Sequence, residues 1–282
     1  MSVPSITIIK ASGARERFRA RKLERSVRRS GASAQQARAA AEFVAAHVRD
    51  GMTTKEVFDL VRQHLTRSDQ HGTAVRYTLK DAMRRLGPAG YDFEVFIARI
   101  LRAYGYATEL PDLIPGMCVA HEVDVVAVKD GATAMVECKY RNEAGIHVRL
   151  KDVMATWARY DDLREARASR RHAYDFTQCW VVCNTKITDD GVAFGACKGM
   201  RLIGWQYPKE GGLERMIEER HLFPITILER ITRPMREQFA RAGIMLCHDV
   251  LEHAPEVLAR KTGIPVGAIQ RVRSEITDVL KC

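Results

Sequence analysis

The stretch HEVDVVAVKDGATAMVECKY, from His121 to Tyr140, sets acids and a lysine at alternate positions on both sides of a turn signal. Asp130-Gly131, between two runs rich in β-branched residues, predicts a two-residue β-hairpin. With Lys129 facing Ala132, that register puts Asp124 opposite Glu137 and Glu122 opposite Lys139, all on one face. Two carboxylates directly across a ladder, with Cβ atoms about 5 Å apart, repel one another unless positive charge lies between them. A divalent cation meets that need. Oxygen ligands with retained waters suit Mg²⁺ or Mn²⁺, and a lysine two residues along the strand can polarise a water held there for attack on a phosphodiester. The expected metal ligands are therefore Asp124 and Glu137, with Lys139 as their catalytic partner. Val123, Val125, Ala127, Val136 and Cys138 would form the opposite, apolar face and pack against a helix. The alternative is an ordinary hairpin carrying a surface Glu-Lys pair, and a β-bulge would shift the register by one and break the pairing.

Other candidate groups are weaker. His121 falls on the opposite face from the acids, as a packed or hydrogen-bonded histidine. Arg149, Lys151 and Arg159 lie on the helix-like stretch after the second strand, where they could touch phosphates or form a solvated face. The seven cysteines are scattered and contain no CxxC pair, which argues for reduced thiols rather than a disulfide framework or zinc ribbon. Cys179 and Cys183 share a face of the apolar run FTQCWVVCN and are expected in a core.

These residues have to be held by more than one domain. At 282 residues the chain exceeds the usual single core. Turn signals at Gly87-Pro88-Ala89-Gly90 and near Phe223-Pro224 divide it into residues 1–87, 88–222 and 223–282. The first segment opens with the short alternating run ITIIK and a turn at Ser12-Gly13, then turns helical. Thr53 and Glu56 predict a capping box for a helix carrying Val57, Leu60, Val61 and Leu65. The middle segment reads helix, strand, strand, helix, strand, helix, with strands near 122–128, 133–140, 179–183 and 201–205, an α/β order. The last segment is helical, with turns at Gly243-Ile244 and Gly263-Ile264.

The net charge of +10 is located at one end. Residues 1–90 hold 18 basic and 8 acidic residues, whereas residues 91–282 hold 27 of each. RERFRARKLERSVRR, Arg15 to Arg29, carries eight basic and two acidic residues, a field suited to the phosphates of a nucleotide or a nucleic acid, or else a solvated helix face. No stretch has the roughly 18 uninterrupted apolar residues of a membrane helix, and MSVPSITIIK lacks the pattern of a secretory signal. A cytoplasmic location is expected. Neither GxxxxGK[ST] nor GxGxxG occurs, which excludes a P-loop or a Rossmann fingerprint.

FEVFIARILRAYGY, the EVD ending at Asp124, and VECKY together resemble the PD-(D/E)xK nuclease core, in its Mrr-like restriction-endonuclease branch. The resemblance spans about residues 88–208 and includes VVCNTKIT and LIGW. It implies an α/β restriction-endonuclease-like core with Asp124 and Glu137 on the metal, Lys139 as catalytic lysine and Glu94 as an added acid on the first helix. Taken alone, Glu94 is equally a helix N-terminal acid favoured by the dipole. Relatives often carry Gln where Val136 stands.

ITIIKASGARERFRARKLERSV, DGMTTKEV and AVRYTLKDAM resemble the ATP-cone, a mainly helical allosteric nucleotide-binding domain, over most of residues 5–87. The resemblance implies that Ile8, Lys10, Glu16, Lys22 and Thr54 line a site for ATP or dATP. Ala11 replaces the arginine usual after the first lysine, so Arg15, Arg17 or Arg19 would substitute. In LARKTGIPVGAIQRVRSEI, Ala259, Gly263, Ile269 and Val272 fit a helix-turn-helix, and the same stretch resembles a helix-hairpin-helix. In either form Gln270, Arg271 and Arg273 would contact DNA; a dimerisation or packing element is the alternative. The whole reads as a Mg²⁺-dependent DNA endonuclease, expected as a homo-oligomer and regulated by ATP or dATP. A non-catalytic, nucleotide-responsive DNA-binding regulator is the rival, and RNA remains open as a substrate.

Overall fold

The fold is described from a computed structural model that covers residues 6–68, 70–87 and 91–281. The boundary expected at Pro88-Ala89-Gly90 lies outside the described residues. Residues 1–83 and 223–282 make one compact unit and residues 84–222 another.

The first unit begins with a hairpin, β1 (Thr7–Ile9) and β2 (Arg15–Arg17), in which Ile8 pairs with Glu16. Its turn needs the left-handed backbone of Gly13, at φ 80°. Helices α1 (Ala20–Arg29), α2 (Ala34–His47), α3 (Thr54–Arg67), α4 (His71–Tyr77) and α5 (Leu79–Arg84) follow. Apolar residues at helical spacing, among them Val27, Val44, Val61 and Leu65, are fully buried together. The capping box expected at Thr53 is formed: its hydroxyl accepts from Glu56 N at 3.2 Å while Glu56 Oε2 accepts from Thr53 N at 2.8 Å. Thr53→Ala should lower stability by about 1 kcal/mol, read as a lower urea midpoint with an unchanged slope; an unchanged midpoint would show that the box is not holding α3.

In the second unit α6 (Tyr91–Ala103) precedes three short strands, β3 (Ala107–Glu109), β4 (Leu113–Pro115) and β5 (Ala120–Glu122). Strands β6 (Val125–Lys129) and β7 (Ala132–Lys139) are joined by Asp130-Gly131, whose φ values of 51° and 77° fit the expected two-residue turn. Helix α7 (Leu150–Ala168) crosses over to the parallel strand β8 (Phe176–Cys183), and α8 (Asp189–Cys197) leads to β9 (Arg201–Ile203) and α9 (Leu213–Glu219). The mixed sheet has the order β3-β6-β7-β8-β9, antiparallel at its first three strands and parallel at its last three.

Helices cover this sheet, so both faces of its centre are apolar. Val126, Met135 and Val181 pack with Val153, Tyr160 and Leu163 of α7, while Val125, Ala127 and Val136 alternate to the face where α6 lies. The expectation of one polar and one apolar face therefore holds only at the strand ends. Three strands, β3, β4 and β5, were not expected; each is three residues long and too short to show a period.

The remaining helices belong to the first unit: α10 (Arg233–Arg241), α11 (Cys247–Leu251), α12 (Pro255–Thr262) and α13 (Val266–Leu280), after a 3₁₀ turn at Ile225–Ile227. Gly263, at φ 74°, ends α12 as a left-handed cap, and the chain re-enters a helix after Ile264 and Pro265. Ile269 and Val272 are buried. Residues 223–282 join the N-terminal helices: Thr226 Oγ1 donates to Ala82 O at 2.8 Å, and Arg62 pairs with Glu229 at 2.7 Å.

Candidate functional site

The hairpin ladder runs from Lys129↔Ala132 to Val125↔Val136, so the next pair outward is Asp124 and Glu137. There the backbone leaves the ladder. Asp124 sits on a bend, and its carboxylate replaces the missing ladder acceptor by taking the hydrogen bond of Cys138 N at 2.6 Å. The register of β7 against β8 shifts between Thr133 and Ala134, where β8 carries Thr177 as an extra residue, and the pairing of β7 with β6 is unshifted. Glu122, expected opposite Lys139, is not there: the bend carries it into β5, where it pairs with Leu113 of β4. The strand run counted from the sequence as continuous is broken at Val123-Asp124.

Glu137 is 4 % exposed and has two cationic partners. Lys139 Nζ, one alternation further along β7, donates to Oε1, and Arg159 Nη1 of α7 donates to Oε2 at 2.5 Å. Arg159 also reaches Glu122 O at 3.1 Å, linking α7, β5 and β7 at this point. Burial, and next the Glu137 carboxylate, push the Asp124 carboxyl up to about 7, while the Cys138 N–H opposes the rise. Glu94, half-buried on α6, is also raised, by desolvation and then by Glu122 and Glu137. The structure thus brings Asp124, Glu137 and Lys139 together and places Glu94 within their electrostatic reach. Among the described residues no group of three or more His, Cys, Asp or Glu is arranged to hold an ion.

Arg159 is the participant whose place was not foreseen; the sequence offered it as a phosphate contact or as part of a solvated face. Its signal was phase: it lies three residues after buried Thr156 and four before buried Leu163, at the inner edge of α7. Arg149 is the N-cap of α7, its N–H donating to Asp152 at 2.8 Å, and Lys151 is exposed. His121 Nε2 lies 2.6 Å from Asp162 Oδ2. Cys179 and Cys183 are buried, and burial pushes the Cys179 thiol up to about 12.

The N-terminal hairpin and helices enclose a cavity of about 260 Å³. Ile8, Lys10, Glu16, Lys22 and Thr54 all line it, with Arg17 and Arg19. Arg15 is not among the lining residues. Glu16 bridges the two lysines, at 2.6 Å to Lys10 and 2.8 Å to Lys22, and they, Lys10 first, hold its carboxyl down at about 2. The cavity therefore has an apolar wall and two ammonium groups already arranged around an oxyanion, an arrangement able to take a phosphate.

Gln270 and Arg271 are exposed on α13. Arg273, expected as a third DNA contact, is turned inward. Its Nη1 donates to Val250 O at 2.5 Å and His253 O at 2.8 Å, satisfying carbonyls at the end of α11. Among the described residues no helix is long and apolar enough to cross a membrane.

A family model for the ATP cone domain matches residues 6–85, and a model described as AF1548-like, C-terminal, matches residues 223–280. An uncharacterized protein of Archaeoglobus fulgidus is 35 % identical over 184 residues, covering 65 % of this chain and 99 % of that protein. A crystal structure of a protein of unknown function, AF1548, is similar at a TM-score of 0.58 and 34 % identity over 68 % of this chain and 98 % of that one.

Proposed function

The chain belongs to the family of this Archaeoglobus fulgidus protein and carries an ATP cone domain; on the geometry of its second unit we propose that it is a metal-dependent DNA endonuclease governed by ATP or dATP. The observation that carries the nuclease reading is the convergence of Asp124, buried Glu137 and Lys139 at one end of β6 and β7. The order of α6, the β6–β7 hairpin, α7 and the parallel strand β8 also agrees with a restriction-endonuclease-like core.

The donors fit a hard divalent cation. Burial and Glu137 oppose ionisation of Asp124, so a cation between the two carboxylates would remove that opposition. Asp124 and Glu137 would supply its protein oxygens, with water completing the shell. Bound Mg²⁺ or Mn²⁺ would supply charge stabilisation for phosphodiester hydrolysis. Lys139 holds a positive charge and three donors beside Glu137, suited to orienting the attacking water and a phosphate oxygen. Arg159 fixes the Glu137 carboxylate from α7. The Cys138 N–H fixes the Asp124 carboxylate. The exposed faces of Arg271 and Gln270 would add DNA affinity.

Cleavage of plasmid and linear DNA with Mg²⁺ or Mn²⁺, with and without ATP and dATP, tests the proposal. Metal-dependent cutting that responds to nucleotide supports it; DNA binding without cutting under every condition overturns it. One observation favours the second reading, a nucleotide-responsive DNA-binding regulator: Glu137 is already paired with both Lys139 and Arg159, as in a structural ion-pair network. RNA offered in the same assay separates the two nucleic acids.

A further inference from the structure

One buried side chain ties the nucleotide cavity to the helices of residues 223–282. Arg76, on α4, is 7 % exposed. Its Nε donates to Ser30 O at 2.8 Å, and its Nη1 donates to Val279 O and Lys281 O, each at 2.8 Å. Nη2 reaches Thr73 Oγ1 at 3.2 Å. Ser30 caps the C-terminal end of α1, and Val279 and Lys281 stand at the C-terminal end of α13. A guanidinium here satisfies carbonyls that neither helix can satisfy itself and answers the negative ends of two dipoles at once.

The backbone is shaped to admit it. Gly31 has φ 88°, and a Cβ there would lie 2.6 Å from Arg76 Nη2. On the same helix as Arg76, a Cβ at Gly72 would lie 2.3 Å from Asp278 O of α13, so the two helices meet at backbone distance. Both helices that Arg76 joins to α13 are also walls of the cavity. Lys22, Leu23 and Ser26 of α1 line it, as does Tyr77 of α4, next to Arg76 and stacked on Phe58 at 5.0 Å.

We propose that Arg76 couples occupancy of this cavity to the seating of α13, so that ATP, by fixing α1 and α4, also fixes the C-terminal half of α13. The inference rests on the nucleotide-binding role of the cone and adds the route by which it acts. A ligand drawing on Lys22 and packing on Tyr77 restrains two helices whose ends share one guanidinium. Opening of α13 breaks two of that guanidinium's hydrogen bonds and becomes rarer once its other anchors are held.

The test uses the full chain, with ATP binding measured by calorimetry and amide hydrogen exchange followed by mass spectrometry with and without saturating ATP. Peptides covering residues 274–281 should exchange about tenfold more slowly with ATP, within the usual range for coupled sites. Arg76→Lys keeps the charge but loses the planar fork that spans both helix ends. It should still bind ATP and protect α1 while the ATP-dependent slowing at 274–281 disappears. ATP binding with exchange at 274–281 unchanged in the wild type would overturn the coupling alone. No heat of ATP binding would overturn the nucleotide reading and this inference together. If Arg76→Lys does not fold by circular dichroism, the wild-type comparison decides the outcome.

Discussion

Lys139→Ala is expected to lower metal-dependent DNA cleavage by about 10²–10³-fold, the range for removing one preorganised charged donor at the reacting centre, while leaving DNA binding and the fold nearly intact. The argument is one of position. Lys139 lies two residues beyond Glu137 on β7, and its ammonium is bonded to the carboxylate that would hold the metal. Its side chain is 24 % exposed, open enough for substrate and dry enough for its charge to count. The fold survives because Glu137 keeps its hydrogen bond from Arg159 when the lysine is lost. Arg159→Met is the instructive contrast. It leaves Lys139 in place but frees Glu137 from α7 and releases Glu122 O, so it should act mainly by lowering stability. Single-turnover cleavage and thermal midpoints of both variants check this; equal turnover by Lys139→Ala and wild type would sink the assignment of the lysine.

Local chemistry made part of this site legible. Asp130-Gly131 can take two positive φ values, and that fact alone set the β6–β7 register and brought Asp124 level with Glu137. Thr53 with Glu56 gave the start of α3 for the same kind of reason, and the residues that the ATP-cone resemblance assigned to a nucleotide site line one cavity. What could not be read depends on long-range partners. The bend at Asp124 is closed by a hydrogen bond from Cys138, and nothing in EVD announces it; Glu122 was misplaced as a result. Arg159 and Arg273 looked like surface cations because sequence shows their charge and not the carboxylate or carbonyls that take it. Arg76 bonds carbonyls more than 200 residues away, at Val279 and Lys281, which no local pattern encodes.

The second large effect is expected in stability against pH, and it distinguishes an acid held beside an acid from an ordinary surface carboxylate. The Asp124 carboxyl ordinarily titrates near 3.8 and is raised to about 7 in the fold, by burial first and by Glu137 second. Between these values the folded chain holds a proton that the unfolded chain has released. The contribution is therefore full below about pH 4 and is lost as the pH rises through about 7. A shift of this size corresponds to about 4 kcal/mol at most, on the order of 10 °C in thermal midpoint. Asp124→Asn, which removes the titrating group, should flatten the profile between about pH 4 and 7. The same experiment addresses the metal. Above pH 7 the Asp124 carboxylate is ionised beside Glu137 with only the Cys138 N–H to hold it, so added Mg²⁺ or Mn²⁺ should raise the wild-type midpoint by mass action, and the rise should be absent in Asp124→Asn. A wild-type midpoint that is flat with pH would mean that Asp124 is not opposed by its surroundings. An equal rise in both proteins would place the cation elsewhere and remove the main support for metal-dependent cleavage at this site.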